Sequence, residues 1–143
     1  MRVTLADYPV RLDLPVQWAD MDAAAHVNNL TYLRWAESAR IEYFARMGMD
    51  LDFQTAKEGT ILGWQECKYI FPMTFPDTAQ LGIRVLETAT HHFLAETAVF
   101  SQRHDRLAAL SRQKLVAYDY PSQQKIELPA LWRTAIRRIQ SGG

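Results

Sequence analysis

The 143-residue chain has a single cysteine, Cys67. That excludes an intrachain disulfide framework and a zinc site built from cysteines, and it fits a reducing compartment, so a cytoplasmic location is expected. Excess charge of either sign is also missing. Sixteen Lys and Arg balance sixteen Asp and Glu, so no net field gathers nucleic acid or an anionic membrane surface, and neither partner is expected. No apolar run approaches the roughly 20 residues of a membrane-spanning helix. The opening Met1-Arg2-Val3-Thr4, followed by Asp7 and Pro9, lacks the apolar core of a signal peptide. Internal repeats, low-complexity tracts, Gly/Ser linkers and a glycine-rich phosphate loop are absent too. What is present is 48% hydrophobic content, enough for one globular core, and residues 1–143 are read as one domain.

Two periodicities organise that content. Residues 10–17 (VRLDLPVQ) alternate apolar and polar, the period of a half-buried strand, with Pro15 pointing to an edge. From Leu30 to Met47 the pattern is helical: Tyr32, Trp35, Ala36, Ala39, Tyr43 and Met47 share one arc, flanked by Leu33 and Phe44. Leu30 and Ile41 fall on a further side, and Thr31, Arg34, Ser38 and Glu42 form a narrow polar strip. Such a helix is expected to be buried on most sides, with Gly48 as its stop. Four more alternating segments follow at 60–71, 78–88, 91–102 and 106–119, joined by short links that favour antiparallel pairing. A short helix opening at Pro129 gathers Leu131, Trp132, Ala135, Ile136 and Ile139 on one face. The predicted class is α+β, a five-stranded antiparallel sheet wrapped around one long helix, with a short C-terminal helix.

The stretch WADMDAAAHVNN, residues 18–29, sits at the entrance of the long helix. Asn28 or Asn29 suits the N-cap, and aspartates near a helix start interact well with its dipole. One cap serves one helix, however, whereas Asp20, Asp22 and His26 lie further upstream, and this excess polarity needs another cause.

Residues 16–48 resemble the 4-hydroxybenzoyl-CoA thioesterase-like branch of the hotdog-fold superfamily. The match lies in Asp20-x-Asp22 followed by a helix with Tyr32, Glu37 and Arg40 in a Tyr-x-x-x-x-Glu-x-x-Arg pattern. The resemblance implies a hotdog fold and an acyl-CoA thioesterase. It makes Asp22 the catalytic carboxylate and places the backbone N–H that receives the thioester carbonyl near Asn29. The family's glycine between the aspartate and the helix is Ala25 here. It also implies homodimers with active sites at the interface, extending to homotetramers, and the exposed apolar area expected of one curled sheet agrees with self-association.

The chemistry is consistent with one carboxylate. A thiol with a pKa near ~8.5 leaves without much proton donation, so the main demand is for donors facing the developing oxyanion, which a helix N-terminus supplies. Asp22 would attack the carbonyl to give a mixed anhydride, or deprotonate the attacking water. A carboxylate near the positive end of a helix is held charged and is a weaker base, which favours attack.

Other residues carry weaker expectations. His26 could orient the acyl group, donate a hydrogen bond or brace the loop. Asp20 suits a loop organiser, because a second carboxylate beside the first would compromise its charged form. Glu37 and Arg40 suit a helical ion pair. His91 and His92 point to opposite faces of a strand and lack a third ligand, so no metal is expected. Cys67 reads as a packing thiol. Arg84, Arg103, Arg106, Arg112 and Lys114 are available to coenzyme A phosphates, although a solvated sheet face explains them equally well. Trp18, Tyr32, Trp35 and Trp64 are candidates for the acyl pocket, or for plain core.

The leading expectation is therefore hydrolysis of an acyl-CoA or acyl-carrier-protein thioester, with no metal or redox cofactor. Two alternatives stay open: an enoyl-thioester hydratase or dehydratase using His26 as base, and a non-catalytic acyl-CoA binding module.

Overall fold

Nineteen residues, Asn29–Met47, form the long helix α1. In the computed structural model residues 3–142 are described; Met1 and Arg2, on which the expected absence of a leader partly rests, lie outside them, as does Gly143. Asn28 caps α1, its Oδ1 accepting from the Leu30 N–H at 2.9 Å. Gly48 ends the helix in the left-handed region at φ 77°, returning its N–H to the carbonyls of Ala45 and Phe44. The predicted arc of Tyr32, Trp35, Ala36, Ala39, Tyr43 and Met47 is buried.

The sheet contains β1 (Val10–Pro15), β2 (Glu58–Tyr69), β3 (Thr78–Thr88), β4 (His92–Ser101), β5 (Arg106–Asp119) and β6 (Gln124–Lys125). Its order is β1-β3-β4-β5-β2, with β6 also pairing β5, and every pairing is antiparallel. Five strands correspond to the predicted ones. The sixth is a two-residue addition, turned back onto β5 through Gln123 at φ 57°. β2 stops two residues earlier than the alternation suggests, because the N–H groups of Ile70 and Phe71 both go to the Ala108 carbonyl, at 2.8 and 3.0 Å. The short helix α2 (Ala130–Gln140) buries Trp132, Ala135, Ile136 and Ile139, while Leu131 is exposed.

Leu81 and Ile83 of β3, Phe93 and Ala95 of β4 and Leu115 of β5 join Trp35, Ala39 and Tyr43 of α1 in one apolar core. Each of the larger side chains contributes on the order of 1.5–3 kcal/mol by leaving water. Tyr8 packs the opposite face of the sheet over Gly82, where an added Cβ would meet Tyr8 Cγ at 2.6 Å. The hydroxyl of Tyr8 donates to the buried Glu96 at 2.9 Å.

The helix is less enclosed than its pattern implies. Leu30 is 64% and Ile41 38% exposed, because one sheet covers one side of α1 and nothing among the described residues covers the other. Thr31, placed on the polar strip, is buried. β2 likewise has no neighbour on its outer edge among the described strands, and Ile61, Leu62 and Trp64 along it are 41%, 40% and 47% exposed. Among the described residues no helix is long and apolar enough to cross a membrane.

Candidate active site

Residues 18–29 fold as a short turn followed by a tight hairpin against the start of α1. Trp18–Asp20 make one 3-10 turn. Met21 then pairs antiparallel with Val27, and the Asp22 N–H donates to the His26 carbonyl at 3.0 Å. The turn closes with the Ala25 N–H on the Asp22 carbonyl at 2.9 Å, and it holds Ala25 at φ 63°. Left-handed backbone favours glycine, and this is the position where the resembled family carries one.

Asp20 holds this structure together. It is buried, its Oδ2 accepts from the Gln17 N–H at 2.7 Å, and its Oδ1 takes Arg34 Nη2 at 2.7 Å. Its carbonyl accepts the Asn28 N–H at 2.9 Å, which fixes the cap relative to the loop. Asp22 is exposed; one of its oxygens, Oδ1, accepts from the Ala24 N–H at 2.9 Å. His26 is exposed as well, and its Nδ1–H donates to the Ala24 carbonyl at 2.9 Å, so Nε2 carries the free lone pair when the ring is neutral.

The amides at the helix entrance are unevenly engaged. Leu30 N–H is taken by Asn28 Oδ1 and Thr31 N–H by the Asn28 carbonyl, each at 2.9 Å. Among the described residues the Asn29 N–H has no acceptor. A cleft of about 340 Å³ opens beside it, lined by Ala19, Asp20, Met21, Asn28, Leu30, Thr31 and Arg34. A larger groove, of about 720 Å³, runs along Val3–Leu5, Ile70, Phe100 and Arg106; Asp22, His26 and Asn29 line neither this groove nor the cleft.

Three residues that sequence reasoning missed position this entrance. The Tyr69 hydroxyl, at the end of β2, donates to the Asn29 carbonyl at 3.1 Å. Burial, reinforced by the neighbouring Cys67 thiol, pushes the Tyr69 pKa up, so it keeps its proton. Tyr32 accepts the Met73 N–H at 3.2 Å on its hydroxyl, and the Met73 carbonyl takes the Val27 N–H at 2.9 Å. Arg34 is the third, through Asp20. Tyr69 and Met73 show no local signal: one looks like any strand tyrosine, the other like any loop methionine.

The four aromatic candidates do not come together. Tyr32 and Trp35 pack edge to face at 5.4 Å within the core. Trp18 is 72% exposed on its short turn. Trp64 pairs with Lys114, and both point away from the face on which Leu115 meets α1. Of the basic residues, Arg84 and Arg112 are engaged by Glu96 at 2.8 and 3.4 Å. Among the described residues no group of three or more His, Cys, Asp or Glu side chains is placed to hold a metal.

The sequence profile of the thioesterase-like superfamily matches residues 16–136. The chain belongs to that family. No curated protein sequence matches it. Among solved structures, the PA5185 protein of Pseudomonas aeruginosa is 27% identical, with a TM-score of 0.84 over 94% of each chain. A thioesterase of Thermus thermophilus, solved with coenzyme A and Zn, is 26% identical, with a TM-score of 0.83 over 94% of this chain and 96% of that one. A 1,4-dihydroxy-2-naphthoyl-CoA thioesterase of Synechocystis shares the fold at 19% identity and a TM-score of 0.81, over 90% of this chain and 95% of that one. The α+β architecture is thus the hotdog fold expected from the resemblance, and the expected enzyme class, thioester hydrolase, is the one the family carries.

Proposed function

We propose that this protein hydrolyses acyl-CoA thioesters to the free acid and coenzyme A. Asp22 supplies the carboxylate at the carbonyl carbon, and the Asn29 N–H receives the carbonyl oxygen. The observation that carries the reading is the unengaged Asn29 amide at the head of a 19-residue helix, two residues beyond a hairpin that presents Asp22 to solvent. An aligned amide at a helix N-terminus stabilises negative charge on oxygen, and losing one such donor typically costs about 3 kcal/mol of barrier. Support for coenzyme A as carrier comes from the Thermus thermophilus relative, solved with it. His26, with Nε2 free, is placed beside Asp22 by the hairpin and suits a hydrogen bond to the substrate or to water.

A homodimer is part of this proposal. The unpaired edge of β2 and the exposed Leu30 and Ile41 of α1 are apolar surface that a second copy would cover.

The test is thiol release across short, long, branched and aromatic acyl-CoAs by the parent chain and by Asp22→Asn. Turnover in the parent, lost in the variant without loss of folding, is the expected result. Undiminished turnover in Asp22→Asn removes Asp22 from its role. Water addition to an enoyl-CoA without thiol release points instead to hydratase chemistry, and binding without either reaction to a non-catalytic module. Label in Asp22 after turnover in isotopic water would identify attack through an anhydride rather than base catalysis.

A further inference from the structure

Midway along α1 an arginine is nearly buried without a matching acceptor. The Arg40 side chain is 12% exposed, whereas Glu37, its ion-pair partner, is 65% exposed, and the two meet at 3.7 Å between Nη2 and Oε2. That separation is beyond hydrogen-bonding distance. A guanidinium carries five N–H donors and stays charged, yet among the described residues no oxygen accepts a hydrogen bond from Arg40. Desolvation pushes its pKa down, opposed by Glu37. Its nitrogens are not sealed from the surface, so the guanidinium is open to a partner from outside the chain.

The space beside it is a cavity of about 350 Å³ between α1 and β2. Ile41, Phe44, Phe53, Leu62 and Leu115 give it an apolar wall beside Glu37 and Thr60, and because Ile41 and Leu62 belong to the surface assigned above to a second copy, it would lie at the seam of that dimer. Tyr120 also borders it, but the Tyr120 hydroxyl is already spent on the Thr60 carbonyl at 3.0 Å. The cavity therefore offers a hydrocarbon-like wall and one under-used guanidinium, with Glu37 as the competing anion. Planar, forked donors match a carboxylate best.

We propose that this cavity binds an amphipathic carboxylate, its apolar body against Phe44, Leu62 and Leu115 and its carboxylate on Arg40. The thioesterase reading enters only in the source of that ligand: the acid released by hydrolysis, or the far end of an acyl group bearing a second carboxylate. Eleven residues separate Asn29 from Arg40, about 16 Å along the helix axis, so within one chain this site is distinct from the helix entrance.

Calorimetric titration of the Asp22→Asn chain, which uncouples binding from turnover, tests the site with octanoate and phenylacetate against their methyl esters. The acids bind and the esters do not. Arg40→Gln weakens the acids by about tenfold or more, the loss expected for a charge-assisted hydrogen bond. Glu37→Gln tightens them, because it removes the competing carboxylate. A merely structural ion pair predicts no such opposition between the two variants. Arg40→Lys, which keeps the charge and loses the fork, gives intermediate affinity and guards against a folding defect in the glutamine variant. Equal binding of acid and ester, or acid binding unchanged in Arg40→Gln, overturns the proposal. A second arm, in the otherwise unaltered enzyme, compares acyl-CoAs of matched length with and without a terminal carboxylate. A lower KM for the carboxylated member that disappears in Arg40→Gln assigns the site to the acyl group; equal KM values with inhibition by the free acid that disappears in Arg40→Gln assign it to product. The titration needs no turnover, so its failure leaves the thioesterase reading standing, and a chain that binds acids but releases no thiol overturns that reading alone.

Discussion

The Tyr69 hydroxyl donates to the backbone carbonyl of Asn29 at 3.1 Å, joining the end of β2 to the first residue of α1. The same ring lies edge to face against Tyr32 at 5.5 Å. Tyr69→Phe keeps the ring contact and removes the tether, so the amide at the helix entrance loses some of its fixed orientation. We expect kcat to fall about fivefold, the ~1 kcal/mol of one ordinary hydrogen bond, with KM little changed. A rise in KM at constant kcat would mean that the hydroxyl contacts substrate instead.

Ala25 occupies left-handed backbone at φ 63°. The strain is worth roughly 1–2 kcal/mol for a residue with a Cβ, partly offset by the greater freedom glycine has in the unfolded chain. Ala25→Gly should therefore raise stability by about 0.5–1 kcal/mol, seen as a Tm higher by roughly 2 °C. A lower Tm would show that the methyl group makes contacts outweighing the strain.

Asp20 and Asp22, two residues apart, should fail differently. Asp20 is buried and takes Gln17 and Arg34, so Asp20→Ala leaves donors unmet and costs about 2–3 kcal/mol. Both Tm and kcat fall. Asp22 is exposed, and Asp22→Asn should leave the denaturation midpoint within about 0.5 kcal/mol of the parent. Parallel urea titrations and thiol-release assays separate the two behaviours.

Alkali should unfold the protein through its buried tyrosines. Burial raises the Tyr8, Tyr32 and Tyr43 pKa values above the ordinary 10.0, with Glu96 reinforcing the effect at Tyr8. A group whose pKa is raised by folding stabilises fully below its unfolded pKa, and that stability is lost as pH climbs through the folded value. Urea midpoints are thus expected to hold up to about pH 10 and to decline above it. Tyr43→Phe, which also gives up the bond from Tyr43 Oη to Gln140 Oε1 at 2.7 Å, should shallow that decline. An unchanged slope would place the alkaline sensitivity elsewhere.

The parts of the molecule legible in the sequence are those fixed by neighbours a few positions away. α1 follows from the 3.6-residue spacing of Tyr32, Trp35, Ala39 and Tyr43, and its end from Gly48. The cap at Asn28 and the loop-organising role of Asp20 follow from residue type and position as well, whereas the hairpin between them does not. What could not be read depends on separations of tens of residues. Tyr69 and Asn29 lie 40 positions apart, and Tyr32 and Met73 lie 41 apart. The exposure of Leu30 and Ile41 was illegible for a related reason: periodicity marks a residue as apolar and says nothing about whether this chain supplies its cover. Which face Trp64 takes was illegible too: the register sets it opposite Lys114, away from the face that meets the helix.

Met73 has its N–H on Tyr32 and its carbonyl on Val27, so the backbone of one distant residue clasps the loop and the helix to each other. A fragment cut at residues 16–48 would contain every letter of the Asp-x-Asp signature and lack the clasp. Transplanting that segment into another scaffold would carry over its spelling without its shape, unless the receiving sheet presents an equivalent backbone at the same height.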